Sequence, residues 1–258
     1  MAHRFFVSPE QVHGQFITVL GEDVQHISKV LRLKTGAEVV IADGTGSEYF
    51  GEIAQLDKNK VLVAIHRQET ASGAEPLLEV TLLQGIPKGD KMEFIIQKCT
   101  ELGISRIVPV ETTRTVVQLT EEKAYKKQER WQKIAMEAAK QCQRTSIPII
   151  EPVQSLDKAL QALNGQILIV PWEEEKEVGL KSLLQQLKNQ EQKTKQKIAF
   201  LIGPEGGLDG SEITLAQKFD ARTVTLGSRI LRTETAGLAV LVMAMYEMNE
   251  LGVAGNDH

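Results

Sequence analysis

Two short segments combine residues that can do chemistry with residues that let a backbone close on a ligand. The first is Gly203-Pro-Glu-Gly-Gly207, which follows the apolar run Lys197–Ile202 and precedes a helix that Asp209 or Ser211 can cap. Glycines admit positive φ and close backbone approach, so the loop either cradles a ligand or makes a tight turn. It lacks the G-x-G-x-x-G spacing and is not the first strand-to-helix turn, which disfavours a dinucleotide site. No Gly-Lys-Ser/Thr follows, which disfavours a phosphate-gripping P-loop. The second segment, Leu226-Gly-Ser-Arg-Ile-Leu-Arg-Thr-Glu-Thr-Ala236, reads as a strand end, a loop and a helix start. Thr233 or Thr235 is placed to cap that helix, and Glu234 suits its first turn. Capping leaves Arg229 and Arg232 unexplained. Two cations around Ile230-Leu231 suit a phosphate or a developing oxyanion, with a salt bridge to a nearby acid as the alternative.

Other chemistries are poorly served. His3, His13, His26 and His66 fall in a β-rich N-terminal region and His258 is terminal, so no Ser-His-Asp or Cys-His set stands out. Of these, His26 lies beside Lys29 and Arg32 and is the one allowed a substrate contact, a structural role being the alternative. Cys99 and Cys142 have no metal-ligand spacing and cannot build a disulfide framework, which fits a reduced compartment and no metal.

The elements that must position these segments divide in two. Phe16–Leu20, Glu38–Ala42, Ser47–Ile53 and Val61–Ile65 alternate with turn signals and predict a small β-barrel. A helix from Asp23 to about Leu33 interrupts it, with Val24, Ile27, Val30 and Leu31 at helical spacing. Gln68–Pro76 is polar and small, so a linker is expected there, with the domain boundary near residue 74. Beyond it, strands alternate with helices, predicting a parallel sheet covered by helices. The strands are Val80–Leu83, Ile107–Val110, Gln166–Val170, Lys197–Ile202 and Arg222–Leu226. The helices are one capped by Asp90 and stopped by Gly103, then Glu121–Cys142, Leu156–Leu163, Val178–Leu187, Ser211–Lys218 and Thr233–Glu250. Glu173–Glu177 and Lys188–Lys195 read as solvated connections.

The 258 residues are 42% hydrophobic and 25% charged, enough to bury a core in two domains. No apolar run is long enough to span a bilayer and the start lacks a signal-peptide core, so a cytoplasmic protein is expected. The net charge of −4 means that any nucleic-acid contact rests on local patches. Lys29, Arg32 and Lys34 form one, and Thr112–Ile150 carries eight Lys/Arg against four Glu, although a solvated helix face explains that equally.

Taken together, Leu31-Arg-Leu-Lys-Thr-Gly36, Gly203–Gly207 and Leu226–Ala236 closely resemble the RsmE family, 16S ribosomal RNA uridine-N3 methyltransferases of the SPOUT superfamily. The resemblance spans nearly the whole chain. It takes in His3-Arg4-Phe5-Phe6, Gln84-Gly85, Lys88-Gly-Asp-Lys91, Gln141 and Arg144, and departs from the family pattern at Lys140 and Ser228. It implies an α/β protein: a PUA-like β-barrel for RNA over residues 1–73, and over 74–258 an α/β parallel-sheet domain threaded as a trefoil knot. Periodicity shows no knot, and ordinary topology argues against one.

The same resemblance implies S-adenosylmethionine as cofactor, held by loops at 169–172, 201–207 and 225–231. The donor-binding residues would be Val170, Trp172, Leu201, Ile202, Gly203, Glu205, Gly206, Gly207, Leu226, Gly227, Ile230, Leu231, Thr235 and Ala236. RNA would meet Arg4, His26, Lys29, Arg32, Lys34, Lys88, Gln141, Arg144 and Arg229. Methylation at N3 removes the imide proton, so Arg232 is assigned to stabilise the resulting charge and Glu234 or Glu205 to accept the proton. The apolar Ala236–Met245 implies burial on more than one side, either within one chain or at a homodimer interface. A non-catalytic RNA-binding protein and a small-molecule nucleotide enzyme are the rival readings.

Overall fold

The computed structural model describes residues 3–70, 75–117, 119–189 and 196–251. The chain forms two compact units. One is Met1–Glu75 with Ala139–Ile147, the other Pro76–Ala138 with Pro148–His258.

The first unit contains β1 (His3–Phe6), β2 (Val12–His13), β3 (Phe16–Leu20), α1 (Glu22–Gln25), β4 (Glu38–Ala42), β5 (Ser47–Leu56) and β6 (Lys60–Thr70). The strands make one six-stranded mixed sheet in the order β1-β4-β5-β6-β3-β2, in which only β1–β4 is parallel. Every strand sends apolar side chains into a single core, from Phe5 through Ile17, Ile41 and Ile53 to Val63, with Val12 at its margin. Gln68–Thr70 extend β6 instead of opening the expected linker. Residues 71–74, where the boundary was expected, lie outside the described residues.

The expected helix Asp23–Leu33 is corrected by the structure. α1 ends at Gln25 and widens into a π-turn over His26–Val30, with the Leu31 N–H reaching the His26 carbonyl. The wider turn breaks the 3.6-residue stripe: Val24 and Ile27 are buried while Val30 is 70% exposed. Arg32 then takes a left-handed φ of +52°.

Sequence reading did not foresee that 139–147 returns to the first unit. Glu75 holds it there, accepting from the Arg144 guanidinium at 2.7 Å and from the backbone N–H groups of Thr145 and Ser146 at 2.8 and 2.9 Å.

The second unit runs β7 (Glu79–Gly85), α2 (Lys91–Glu101), β8 (Arg106–Glu111), α3 (Glu121–Gln141, whose last turn joins the first unit), β9 (Ile149–Ile150), β10 (Gln154–Ser155) and α4 (Leu156–Gln161). It continues with β11 (Ile167–Pro171), α5 (Leu180–Lys188), β12 (Lys197–Ile202), α6 (Gly210–Gln217), β13 (Arg222–Val224) and α7 (Thr233–Glu247). All strand pairs are parallel, in the order β10-β8-β7-β12-β11-β13, with β9 beside β8. The expected elements are all present, with ends shifted by a few residues. β7 and β12 lie inside the sheet, which is why they are buried almost without alternation. β12 enters between β7 and β11, so the chain changes direction across the sheet there. Ligand crevices open at the carboxyl ends of parallel strands at such a switch point.

α7 is apolar because it is largely buried: Val240, Leu241, Ala244 and Met245 pack inward. Val242, Met243 and Tyr246 remain exposed.

Candidate active site

β12 delivers Gly203–Gly207 to the carboxyl edge of the sheet, where the loop is gripped on several sides. A Cβ on Gly203 would lie 2.7 Å from the Gly207 backbone, and one on Gly85 would lie 2.7 Å from the Pro204 nitrogen, so glycine is required at both. Gly207 has a φ of +71°. Arg114 donates to the Gly206 carbonyl at 2.8 Å, and its side chain lies against the Gly206 Cα. The Thr233 hydroxyl donates to the Gly203 carbonyl at 2.7 Å and accepts from the Gln84 amide at 2.9 Å. Asp209 caps α6, accepting from the Ser211 N–H, and Glu212 completes the capping box. Those Ser211 bonds, with Arg114 adding to them, hold the Asp209 carboxyl below its ordinary range.

The opposite wall is the segment between β13 and α7. Expectation is corrected at the helix start: Arg232 is the N-cap residue, and neither Thr233 nor Thr235 caps with its side chain. Thr233 is the first helical residue and is spent on the glycine loop and Gln84. Within Leu226–Arg232 the Gly227 N–H bonds to the Thr225 hydroxyl, and Ile230 is 85% exposed.

Between these walls lies a cavity of about 670 Å³. From the first wall it is lined by Ile202, Gly203, Glu205 and Gly207, with Trp172 added from the end of β11. The second wall adds Leu226, Gly227, Arg229, Ile230, Leu231 and Arg232, with Glu234 and Ala236 behind them. Of the remaining donor-site candidates, Val170 and Leu201 are fully buried strand residues behind the wall, Gly206 sits beneath Arg114, and Thr235 is an exposed α7 residue off the lining.

Lys91, at the start of α2, brings the charged groups together. Its ammonium lies 2.8 Å from Glu205 Oε1 and 3.7 Å from Glu234 Oε2. The Lys88 N–H donates to the same Glu205 oxygen at 3.0 Å. Burial opposes the charged form of Glu205, but the Lys91 and backbone hydrogen bonds outweigh it and hold the carboxyl below its ordinary range. The bond to Glu205 in turn raises Lys91. Glu234 Oε2 is shielded from solvent and accepts no hydrogen bond. Lys91, Arg114, Thr233 and Gln84 are the site's supports that sequence reasoning missed, apart from the resemblance around Gln84 and Lys91. Cys99 is fully buried, and burial pushes its thiol up to about 12, so it offers no thiolate.

The RNA candidates separate into two sets. Lys29, Arg32 and Lys34 are exposed on the first unit, as is His26, whose ring meets Phe5 edge-on. Lys88 and Gln141 are exposed, and Arg229 lies on the cavity wall. By contrast, Arg144 is 6% exposed and committed to Glu75. Arg4 pairs with Glu48.

The second unit is thus a parallel α/β unit with a charged, glycine-walled cavity at its switch point, in a chain that also carries a small mixed β-sheet. An RNA methyltransferase domain family matches residues 74–245, and an RNA methyltransferase PUA domain matches 19–65. The chain is 37% identical over 231 residues to ribosomal RNA small subunit methyltransferase E of Bacillus subtilis, covering 89% of this chain and 90% of that one. It is 31% identical over 246 residues to the Synechocystis protein of the same name, covering 93% and 76%. A crystal structure of ribosomal RNA small subunit methyltransferase E from Neisseria gonorrhoeae bound to S-adenosyl methionine superposes with a TM-score of 0.79 at 30% identity, covering 95% of this chain and 97% of that one. The chain belongs to the ribosomal RNA small subunit methyltransferase E family.

Proposed function

We propose that this chain transfers a methyl group from S-adenosylmethionine to N3 of a uridine in the 16S RNA of the small ribosomal subunit, in the cytoplasm. The observation that carries this reading is the meeting of Arg232, Glu205 and Glu234 at one glycine-walled cavity. The residues present suit the donor. The cavity volume falls within the usual range for small-molecule sites. Trp172, Leu226 and Ile230 offer apolar surface to an adenine, while Glu173, Glu205 and Glu234 offset a cationic ligand. The donor supplies an electrophilic methyl group, which needs little Lewis-acid assistance.

The chain's own residues do the rest. Arg232 stabilises the negative charge that spreads to O2 and O4 as the imide proton leaves. Glu234 Oε2, buried without a hydrogen bond, is the acceptor for that proton. N3 lies on the pairing edge, so the uridine is unpaired or flipped out when it reacts. The loops at 169–172, 201–207 and 225–231 hold the donor as the loops of a trefoil knot.

The two parts divide the labour, with 1–73 gripping RNA and 74–258 holding the donor. The exposed Lys29, Arg32 and Lys34 support this. The exposed stripe Val242, Met243 and Tyr246 on α7 supports a homodimer. Calorimetry with S-adenosylmethionine and mass mapping of 16S RNA from a deletion strain test the activity. No donor binding, or an unchanged N3-methyluridine content, would overturn it. Replacing Lys29, Arg32 and Lys34 with alanine should flatten the salt dependence of RNA affinity by counterion release. A monomeric mass by light scattering would remove the dimer.

A further inference from the structure

Among the charged groups lining the cavity, two carboxylates meet one ammonium, and the three groups are not equivalent. Glu205 is saturated on Oε1 by Lys91 at 2.8 Å and by the Lys88 N–H at 3.0 Å. Glu234 stands 3.7 Å from the same ammonium, beyond hydrogen-bond reach, and its buried Oε2 bonds to nothing. The remaining charged groups at this cavity are Arg232, Arg229, Glu173 and Lys176. Of these, Arg232 is the one that acts against the charge on Lys91.

We propose that Lys91 is a positioning residue that assigns the two carboxylates to different tasks. It ties Glu205 into the wall as a fixed anion and leaves Glu234, which lines the cavity and whose shielded Oε2 carries no hydrogen bond, as the carboxylate that takes the N–H proton. This rests on the reading of the site as a uridine-N3 methyltransferase. Lys91 is the cation that contacts both carboxylates, so its removal disfavours the state in which both are ionised, and burial and repulsion favour a proton on one of them. A proton on Glu234 occupies the acceptor. Removing the ammonium therefore raises the pH at which the pair takes up its proton, and activity is lost from the acid side first.

The test compares full-length wild type with Lys91→Met, Lys91→Gln and Lys91→Arg, using donor affinity by calorimetry and methyl incorporation into small subunits across pH. In Lys91→Met, kcat at neutral pH should fall about 10-fold or more. The acid limb of the pH profile should move to higher pH, while donor affinity and the KM for RNA stay near wild type. Lys91→Gln, which keeps a donor group without the charge, should show the same displaced limb, and Lys91→Arg should restore rate and profile. An unchanged profile in both neutral variants would overturn the proposal, as would donor affinity falling in step with kcat, or no rescue by arginine. The nucleoside product of wild type, identified by mass spectrometry, judges the N3 reading separately. A different product would sink that reading while leaving the rate comparison to score Lys91.

Discussion

The two walls of the cavity are built on opposite terms. Gly203–Gly207 is held by Thr233, Arg114 and Lys91 and by close backbone approach at Gly203 and Gly85. Leu226–Arg232 has the Gly227–Thr225 bond and a run of exposed side chains from Gly227 to Ile230. The first wall is preorganised, which lowers the cost of binding a ligand against it. The second has few local restraints, so it should open more readily than the first. A preformed wall suits the donor, whose shape does not change between turnovers. An adaptable, cationic wall suits an RNA base that must enter and leave.

The sharpest way to break this contrast is Arg232→Ala on the adaptable wall. Turnover should fall by roughly 100-fold or more while donor affinity stays nearly intact, as expected when one transition-state donor is lost. Loss of donor binding would place Arg232 with the fixed wall. On that fixed wall, Gly203→Val should drive the Gly207 backbone away at a cost of about 2–3 kcal/mol, read as a roughly 100-fold weaker donor affinity by calorimetry. Normal binding by a folded Gly203→Val would mean that the loop is merely a turn. Gly206 is more tolerant, because a Cβ there meets the yielding Arg114 side chain at 3.2 Å.

Arg114→Ala tests the outer brace. Its hydrogen bond to Gly206 is partly exposed, so about 1 kcal/mol, a fewfold loss of donor affinity, is expected. Hydrogen exchange makes the most direct comparison with the smallest perturbation. In the free protein the amides of 226–232 should exchange faster than those of 203–207, and donor and RNA together should protect the former more. Equal protection of both segments before binding would remove the distinction.

A further contrast concerns two arginines that sequence alone treats alike. Arg144 and Arg232 both stand at helix ends among polar residues, and both were assigned to substrate. Arg232 reaches the cavity, whereas Arg144 is bound to a carboxylate 69 positions earlier and fastens 139–147 to the first unit. Glu75→Ala should therefore lower thermal stability by about 3 kcal/mol, since it takes a carboxylate partner from a buried guanidinium. Donor affinity should not follow it.

The sequence by itself determined the elements and the two functional loops. Apolar runs, helical spacing and glycine punctuation are properties of neighbouring residues, so β12, the turn after it, and the start of α7 were legible within a few positions. Local pattern failed where backbone geometry departs from the regular period. The π-turn at His26–Val30 rotated Val30 outward, and Arg232 took the N-cap place offered to the threonines. Tertiary structure alone decided which charges meet. Lys91 and Glu205 are 114 positions apart, Gln84 and Thr233 149, and Arg114 and Gly206 92. An ion pair is specified by where the sheet order brings distant strand ends. No local period carries that information, so the division of Glu205 from Glu234 and the burial of Arg144 emerge only once the chain is folded.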